Sequence, residues 1–203
     1  MQKINVIIGT NNSHKVVEFS RLLKPAPVFL VTPNDLGLNL EVNETGLSYA
    51  ENAILKAESF SRVTGLTAIA DDSGIEVKAL DYRPGIYSAR YGGPGLSDSD
   101  RTALLLKEMS SVADNQRDCR YVAAIAVCWA DGRTETYEEV CNGELSKSPV
   151  GQNGFGYDPI FKPEGQDRTM AQLTDIEKDE LSHRGKAIRS FLIKNGLVVQ
   201  KNE

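Results

Sequence analysis

Apolar and polar positions alternate along the chain in two rhythms. Residues 4–8 (INVII) and 28–32 (VFLVT) are short apolar runs of the kind that strands buried on both faces show. Between them, Val16, Phe19, Leu22 and Leu23 recur at helical spacing from Lys15 and stop before Pro25. Ala50, Ala53, Ile54, Ala57 and Phe60 predict a second amphipathic helix, opened by Ser48 and Glu51 at capping-box spacing and ended by Gly65. Leu66 to Ala70 and Ile75 to Leu80 read as two strands joined by a turn at Ser73-Gly74. A helix carrying Ala103, Leu104, Leu106 and Met109 follows the capping stretch Ser97-Asp98-Ser99-Asp100, and residues 119–130 (CRYVAAIAVCWA) form a long strand. Asp131-Gly132 signals a hairpin, and residues 133–141 return as a half-exposed strand. A last helix with Ile188, Phe191 and Leu192 ends at Asn195-Gly196. Strands alternate with helices first and a long hairpin comes later, so the expected fold is α/β with a mixed twisted sheet. No repeat, low-complexity segment or linker divides the chain, so residues 1–203 are read as one domain, its halves flanking a cleft.

Composition narrows the function. The chain has 203 residues, 40% of them hydrophobic, and a formal net charge of −5. That is enough for a sizeable core. No long basic run appears, which argues against a sequence-independent grip on nucleic acid, so any phosphate site is local. Met1 to Ile8 reads as a strand rather than a cleavable signal, and no apolar segment approaches the roughly 20 residues that span a bilayer. Cys119, Cys128 and Cys141 are odd in number and match no zinc spacing, and are read as small buried hydrophobes in a reducing cytoplasm.

Four polar stretches carry candidate chemistry. Gly9 to Lys15 links a strand to a helix, where outward N–H groups and Lys15 could receive an anion; an ordinary Asn/Ser cap is the plainer reading, and the glycine spacing of a Walker loop is absent. Asp71 and Asp72 are adjacent carboxylates at the mouth of a strand, a costly pairing that a divalent cation relieves, although a solvated turn also accounts for them. Residues 151–161 (GQNGFGYDPIF) combine glycines with Phe155 and Tyr157, whose rings offer faces to a base, and Asp158, an acceptor. Lys178, His183, Arg184 and Lys186 form a local cationic cluster in an acidic protein. Asn52 and Lys56, one turn apart, read as solvated helix surface.

Taken in order, Thr10 to Lys15, Glu44-Thr45-Gly46 with Glu51-Asn52-Ala53, Ala70 to Gly74 with Pro84 to Tyr91, and Phe155 to Pro159 with Ser182 to Gly185 resemble the inosine/xanthosine triphosphate pyrophosphatases, the Ham1-like family, over nearly the whole chain. The resemblance implies a two-lobed α/β homodimer with a Mg2+-dependent site in its cleft. It also implies hydrolysis of dITP, ITP and XTP to monophosphate and pyrophosphate. Thr10, Asn11, Asn12, Ser13, His14 and Lys15 would hold the triphosphate. Asp72 would be proton acceptor and metal ligand, with Glu44 and Asp71 as further metal ligands and Ser73 at the substrate. Phe155, Gly156, Tyr157, Asp158, Lys178, His183 and Arg184 would meet the rest of the nucleotide, with Arg184 or a backbone N–H facing the 6-oxo group. The pattern departs at Asn11, often Gly; at His14; at Asn43, often an acid, which opens Glu41 as a rival to Glu44; and at Gln172, commonly Glu. The rival functions are a pyrophosphatase for other nucleotides and a non-catalytic nucleotide sensor.

Overall fold

The computed structural model describes residues 3–197. β1 (Ile4–Ile8) leads through a polar loop into α1 (Ser13–Leu22), and the chain returns as β2 (Val28–Val31), parallel to β1 with Ile4 beside Val28. α2 (Tyr49–Thr64) starts on the side-chain cap Ser48 and stops at Gly65, whose φ of 70° is a left-handed geometry that suits glycine. β3 (Thr67–Val77) runs parallel to β1. A 3-10 stretch (Gly85–Arg90), α3 (Asp98–Glu108), β4 (Asp118–Cys128), β5 (Thr134–Leu145), β6 (Phe161–Pro163), α4 (Asp175–Leu181) and α5 (His183–Lys194) complete the chain. The strands pair in the order β2-β1-β3-β4-β5-β6, parallel at β1 and antiparallel where β5 meets β6, which is the expected mixed sheet.

The described residues divide into two compact units, the first made of residues 3–72, 123–139 and 184–197 and the second of residues 73–122 and 140–183. In the first unit, Ile8, Phe19, Leu23, Ile69, Ile125 and Phe191 pack together, and Ile7, Phe60 and Ala68 form a smaller cluster. In the second, Ile75, Val77, Leu105, Met109, Tyr121, Tyr157 and Phe161 form the core. Each large apolar side chain buried this way contributes about 1.5–3 kcal/mol. The three cysteines are buried and free, as read from their placement.

One expectation is corrected. Ser73-Gly74 does not turn the chain: β3 is a single strand of 11 residues through both positions. Turn-forming composition loses here to a strand that is buried almost throughout and hydrogen-bonded into the middle of a sheet. What ends near the paired acids is β1, whose last partner is Ile69. Gly9 N–H still donates to Ile69 C=O at 2.7 Å, and a Cβ at Gly9 would lie 3.0 Å from Ala70 Cβ. A glycine therefore lets the loop after β1 leave the sheet beside the residue preceding Asp71. That location, past the carboxyl end of the parallel strand β1, resembles the place where open α/β sheets set ligand sites.

Candidate functional site

The first unit gathers charged and amide side chains around Asp71 and Asp72. Lys15 and Glu18 come from α1, Asn52 and Lys56 from α2, Arg184 from the first turn of α5, and Glu44 from the segment ahead of α2. Asp71 is fully buried. Arg184 grips one of its carboxylate oxygens through Nε at 3.1 Å and Nη2 at 2.7 Å, and Lys15 Nζ lies 3.0 Å from the other. The third guanidinium contact goes to Glu18, whose carboxylate accepts from Nη1 at 2.5 Å. Lys15, Glu18, Asp71 and Arg184 sum to no net charge, the condition under which four ions tolerate removal from water. Burial alone would raise the Asp71 pKa, but Arg184, Lys15 and Lys56 outweigh it and hold the carboxyl well below the usual range. Burial lowers the Lys15 pKa, and the neighbouring Lys56 and Arg184 add to that against the pull of Asp71.

Asp72 meets a different set. Asn52 Nδ2 donates to Oδ2 at 3.0 Å, and Lys56 Nζ lies 3.3 Å from Oδ1. The same ammonium reaches Glu44 at 2.7 Å, so one cation holds two carboxylates. Asn52 has no exposure, and its Oδ1 accepts from Gly46 N–H at 2.9 Å. That bond settles the amide orientation, leaving Nδ2 as the donor toward Asp72. Burial raises the Asp72 pKa, and Glu44 reinforces it against Lys56, Lys15 and the Asn52 hydrogen bond. The Lys56 pKa is raised although burial opposes this, because Asp72, Asp71 and Glu44 surround it. Gly46 permits the close approach: a Cβ there would lie 2.7 Å from Glu51 Cβ and 2.8 Å from Asn52 Oδ1.

In the loop before α1, Asn12 caps the helix by accepting from His14 and Lys15 N–H at 3.0 and 3.2 Å. Thr10 Oγ1 accepts from Asn12 N–H at 3.2 Å, and Asn11 Nδ2 donates to Leu40 C=O at 3.1 Å. Ser13 and His14 are exposed at the helix start. Among the described residues no three His, Cys, Asp or Glu side chains converge as a metal cage. The chemistry present fits a sparser mode: Glu44 and Asp72 already share one cation, and magnesium is held by one or two carboxylates together with substrate phosphates. Asp71 fits that role less well, because Arg184 and Lys15 engage both of its oxygens. Glu41 is exposed, whereas Glu44 is the acid gathered with Asp72. Ser73 follows, half-buried, in the same strand.

The second unit holds a separate cluster. Lys178 Nζ lies 2.5 Å from Asp158 Oδ2, both side chains being buried, and 5.0 Å over the Phe155 ring. Asp158 also accepts from Phe155 N–H at 3.0 Å and from Tyr121 OH at 3.4 Å. His183 is buried, with its ring stacked 4.6 Å from that of Tyr121. Burial, helped by Asp158, pushes the Tyr121 hydroxyl well above its ordinary pKa and keeps it neutral. Phe155 and Gly156 are half-buried. Tyr157 points inward: its ring lies in the core, and its OH donates to Ser88 C=O at 2.9 Å.

Sequence reasoning missed Glu18, Asn52, Lys56 and Tyr121. The signal for three of them was polarity at core-facing helical positions. Glu18 precedes the buried Phe19, and Asn52 and Lys56 flank the fully buried Ala53 and Ala57. Such residues are seldom buried without a partner.

A sequence model of the Ham1 family matches residues 6–194. A protein of Bacillus licheniformis named dITP/XTP pyrophosphatase is 42% identical over 186 residues, covering 92% of this chain and 95% of its own. One of the same name from Mycobacteroides abscessus is 42% identical over 192 residues, covering 93% of each. The solved Ham1 protein of Staphylococcus aureus aligns with a TM-score of 0.83 at 36% identity, over 95% of this chain and 98% of its own. The HAM1 protein of Coxiella burnetii aligns with a TM-score of 0.84 at 33% identity over the same shares.

Proposed function

Because the chain belongs to the Ham1 family, we infer that it hydrolyses non-canonical purine nucleoside triphosphates (dITP, ITP and XTP) to the monophosphate and pyrophosphate. The observation that carries the reading is the pair of carboxylates, Glu44 and Asp72, held on one ammonium beside a second set of cations, Lys15 and Arg184. Phosphoryl transfer depends mainly on positioning and on neutralising charge, and this cluster offers both.

We assign Asp72 and Glu44 to Mg2+, which when bound would neutralise phosphate oxygens. Asp72 orients the attacking water and takes its proton. Asn52 and Lys56 fix its carboxylate in place for that role. Lys15 carries positive charge toward the leaving pyrophosphate, and Thr10 to His14 supply polar groups at the start of α1. Asp71 and Arg184 hold Lys15 in place, so Arg184 acts as a support rather than as the donor to the 6-oxo group. In the second unit, Phe155 offers its ring to the base, and Lys178, fixed by Asp158, provides a donor suited to a 6-oxo purine. A site built around a buried hydrogen bond discriminates by about 10⁴ or more. The free, buried cysteines accord with a reducing cytoplasm, and the family resemblance is what suggests a homodimer.

Hydrolysis of ITP in heavy-oxygen water tests the reaction. Label confined to the monophosphate, with pyrophosphate as the other product, supports attack at the α-phosphorus. Label in pyrophosphate, or release of inorganic phosphate, contradicts it. Asp72→Asn should lose turnover by about 10² or more while still binding ITP.

A further inference from the structure

The loop of residues 153–158 is held by a helix to which the assignments above give no role. Gly156 adopts a φ of 62°, and both faces of its backbone are gripped by side chains of α3. Its N–H donates to Asp98 Oδ2 at 2.8 Å, and its C=O accepts from Thr102 Oγ1 at 3.3 Å. Asp98 and Thr102 stand four residues apart, hence on one face of the helix. Neither is needed to start it. Ser97 and Asp100 form the complete capping box, Asp100 N–H donating to Ser97 Oγ at 3.2 Å and Ser97 N–H to Asp100 at 2.9 Å. The Asp98 carboxylate is thus left to reach across 58 positions of sequence to a loop amide, and Thr102 is a buried hydroxyl.

The grip has consequences on either side of Gly156. Phe155 N–H is aimed at Asp158 Oδ2, the oxygen that also receives Lys178 Nζ. A rotated Gly156 peptide would move Phe155, the ring under Lys178, and would open the turn that seats Asp158. The loop has little slack: a Cβ on Gly154 would lie 2.1 Å from Asp158 Oδ2 and 3.0 Å from Lys178 Nζ.

We propose that Asp98 and Thr102 are positioning residues for base selection, clamping the Gly156 peptide so that Phe155, Asp158 and Lys178 stay in the arrangement that prefers a 6-oxo purine. The proposal rests on the reading of residues 155–158 as the base-side loop. It assigns specificity to α3, whose residues touch no nucleotide in that reading.

The test compares Asp98→Ala with Asp98→Asn, which keeps an acceptor, and Thr102→Val with Thr102→Ser, which keeps the hydroxyl. Steady-state kinetics on ITP, XTP, GTP and ATP are joined to hydrogen exchange of residues 153–158 and to thermal melting. Loss of a charge-assisted hydrogen bond corresponds to about a tenfold or larger change. Asp98→Ala is therefore expected to raise KM for ITP and XTP about tenfold, with kcat within about twofold and little change on ATP. Thr102→Val should do the same more weakly, and Asn and Ser should restore the wild-type ratio. Exchange at Gly156 should quicken in Asp98→Ala and to a lesser degree in Thr102→Val, and stay at the wild-type rate in Asp98→Asn and Thr102→Ser. Asp98 is exposed, so this variant remains informative if Thr102→Val melts early. An unchanged ITP to ATP ratio with faster exchange shows a structural clamp without a role in selection and overturns the proposal. An unchanged exchange rate overturns the clamp itself. A wild-type enzyme indifferent to the base would instead overturn the base-side reading, while the exchange data still judge the clamp.

Discussion

Asp71→Asn is the most demanding perturbation of the charge network, because it changes one atom and one charge in a fully buried site. In the native protein the carboxylate faces Arg184 at 2.7 and 3.1 Å and Lys15 at 3.0 Å. An amide keeps one acceptor, enough to retain a bond to Arg184, but turns its NH2 toward a cation and leaves Lys15 without a counter-charge on that side. Breaking a buried ion pair by removing one partner costs about 3–5 kcal/mol, and the retained acceptor argues for the lower end. For a chain of about this length each kcal/mol moves the melting midpoint by about 2–4 °C, so the expected loss is about 6–12 °C. The pH dependence carries the sign. The folded pKa of Asp71 lies below its unfolded value, so its contribution is complete above the unfolded pKa of about 4 and is lost as pH falls through the lower, folded value. The gap between wild type and variant should therefore be constant from neutrality to about pH 5 and begin to narrow below about pH 4. Differential scanning calorimetry of both proteins across that range measures it. A gap under about 2 °C at neutral pH, or one that widens on acidification, would refute the network as described.

Three further outcomes follow from the same geometry. Asn52→Ala removes the side chain that ties Gly46 to Asp72, and should raise the magnesium concentration for half-maximal activity by about 10–100-fold, read from metal titrations and from direct manganese binding. Gly154→Ala places a Cβ 2.1 Å from Asp158 at a φ of 74°, and should raise KM for ITP about tenfold while leaving the metal requirement unchanged. Chelation should abolish turnover yet shift the melting midpoint by less than about 2 °C, because Lys56 already ties Glu44 and Asp72 together without metal; a larger fall would mean that the metal holds the fold.

Much of the architecture could be read from periodicity. β1, α1, β2, α2 and the β4–β5 hairpin lie where apolar spacing and capping residues put them, because at these places local preference and burial agree. They part at Ser73-Gly74, where turn-forming residues are carried through the middle of a sheet. The candidate site was legible where charged residues interrupt or adjoin patterned stretches: Lys15 in the first turn of α1, Asp71 and Asp72 within the apolar β3, and Lys178 near the cationic residues 183–186. Glu18, Asn52 and Lys56 were hidden because a polar residue on a helix looks solvated until the opposite side of its neighbours is known. Long-range partners such as Arg184 for Asp71, 113 residues apart, have no local signal at all. Tyr157 shows the reverse error of emphasis, an aromatic in a glycine-rich loop whose ring serves the core.

Pyrophosphate release from ITP, XTP, GTP and ATP, each with magnesium and with chelator, tests the central claim most directly. Magnesium-dependent release from ITP and XTP, with little from ATP, is the expected result. Equal release from all four would remove the account of the base, and ITP binding without any release would contradict catalysis at Asp72.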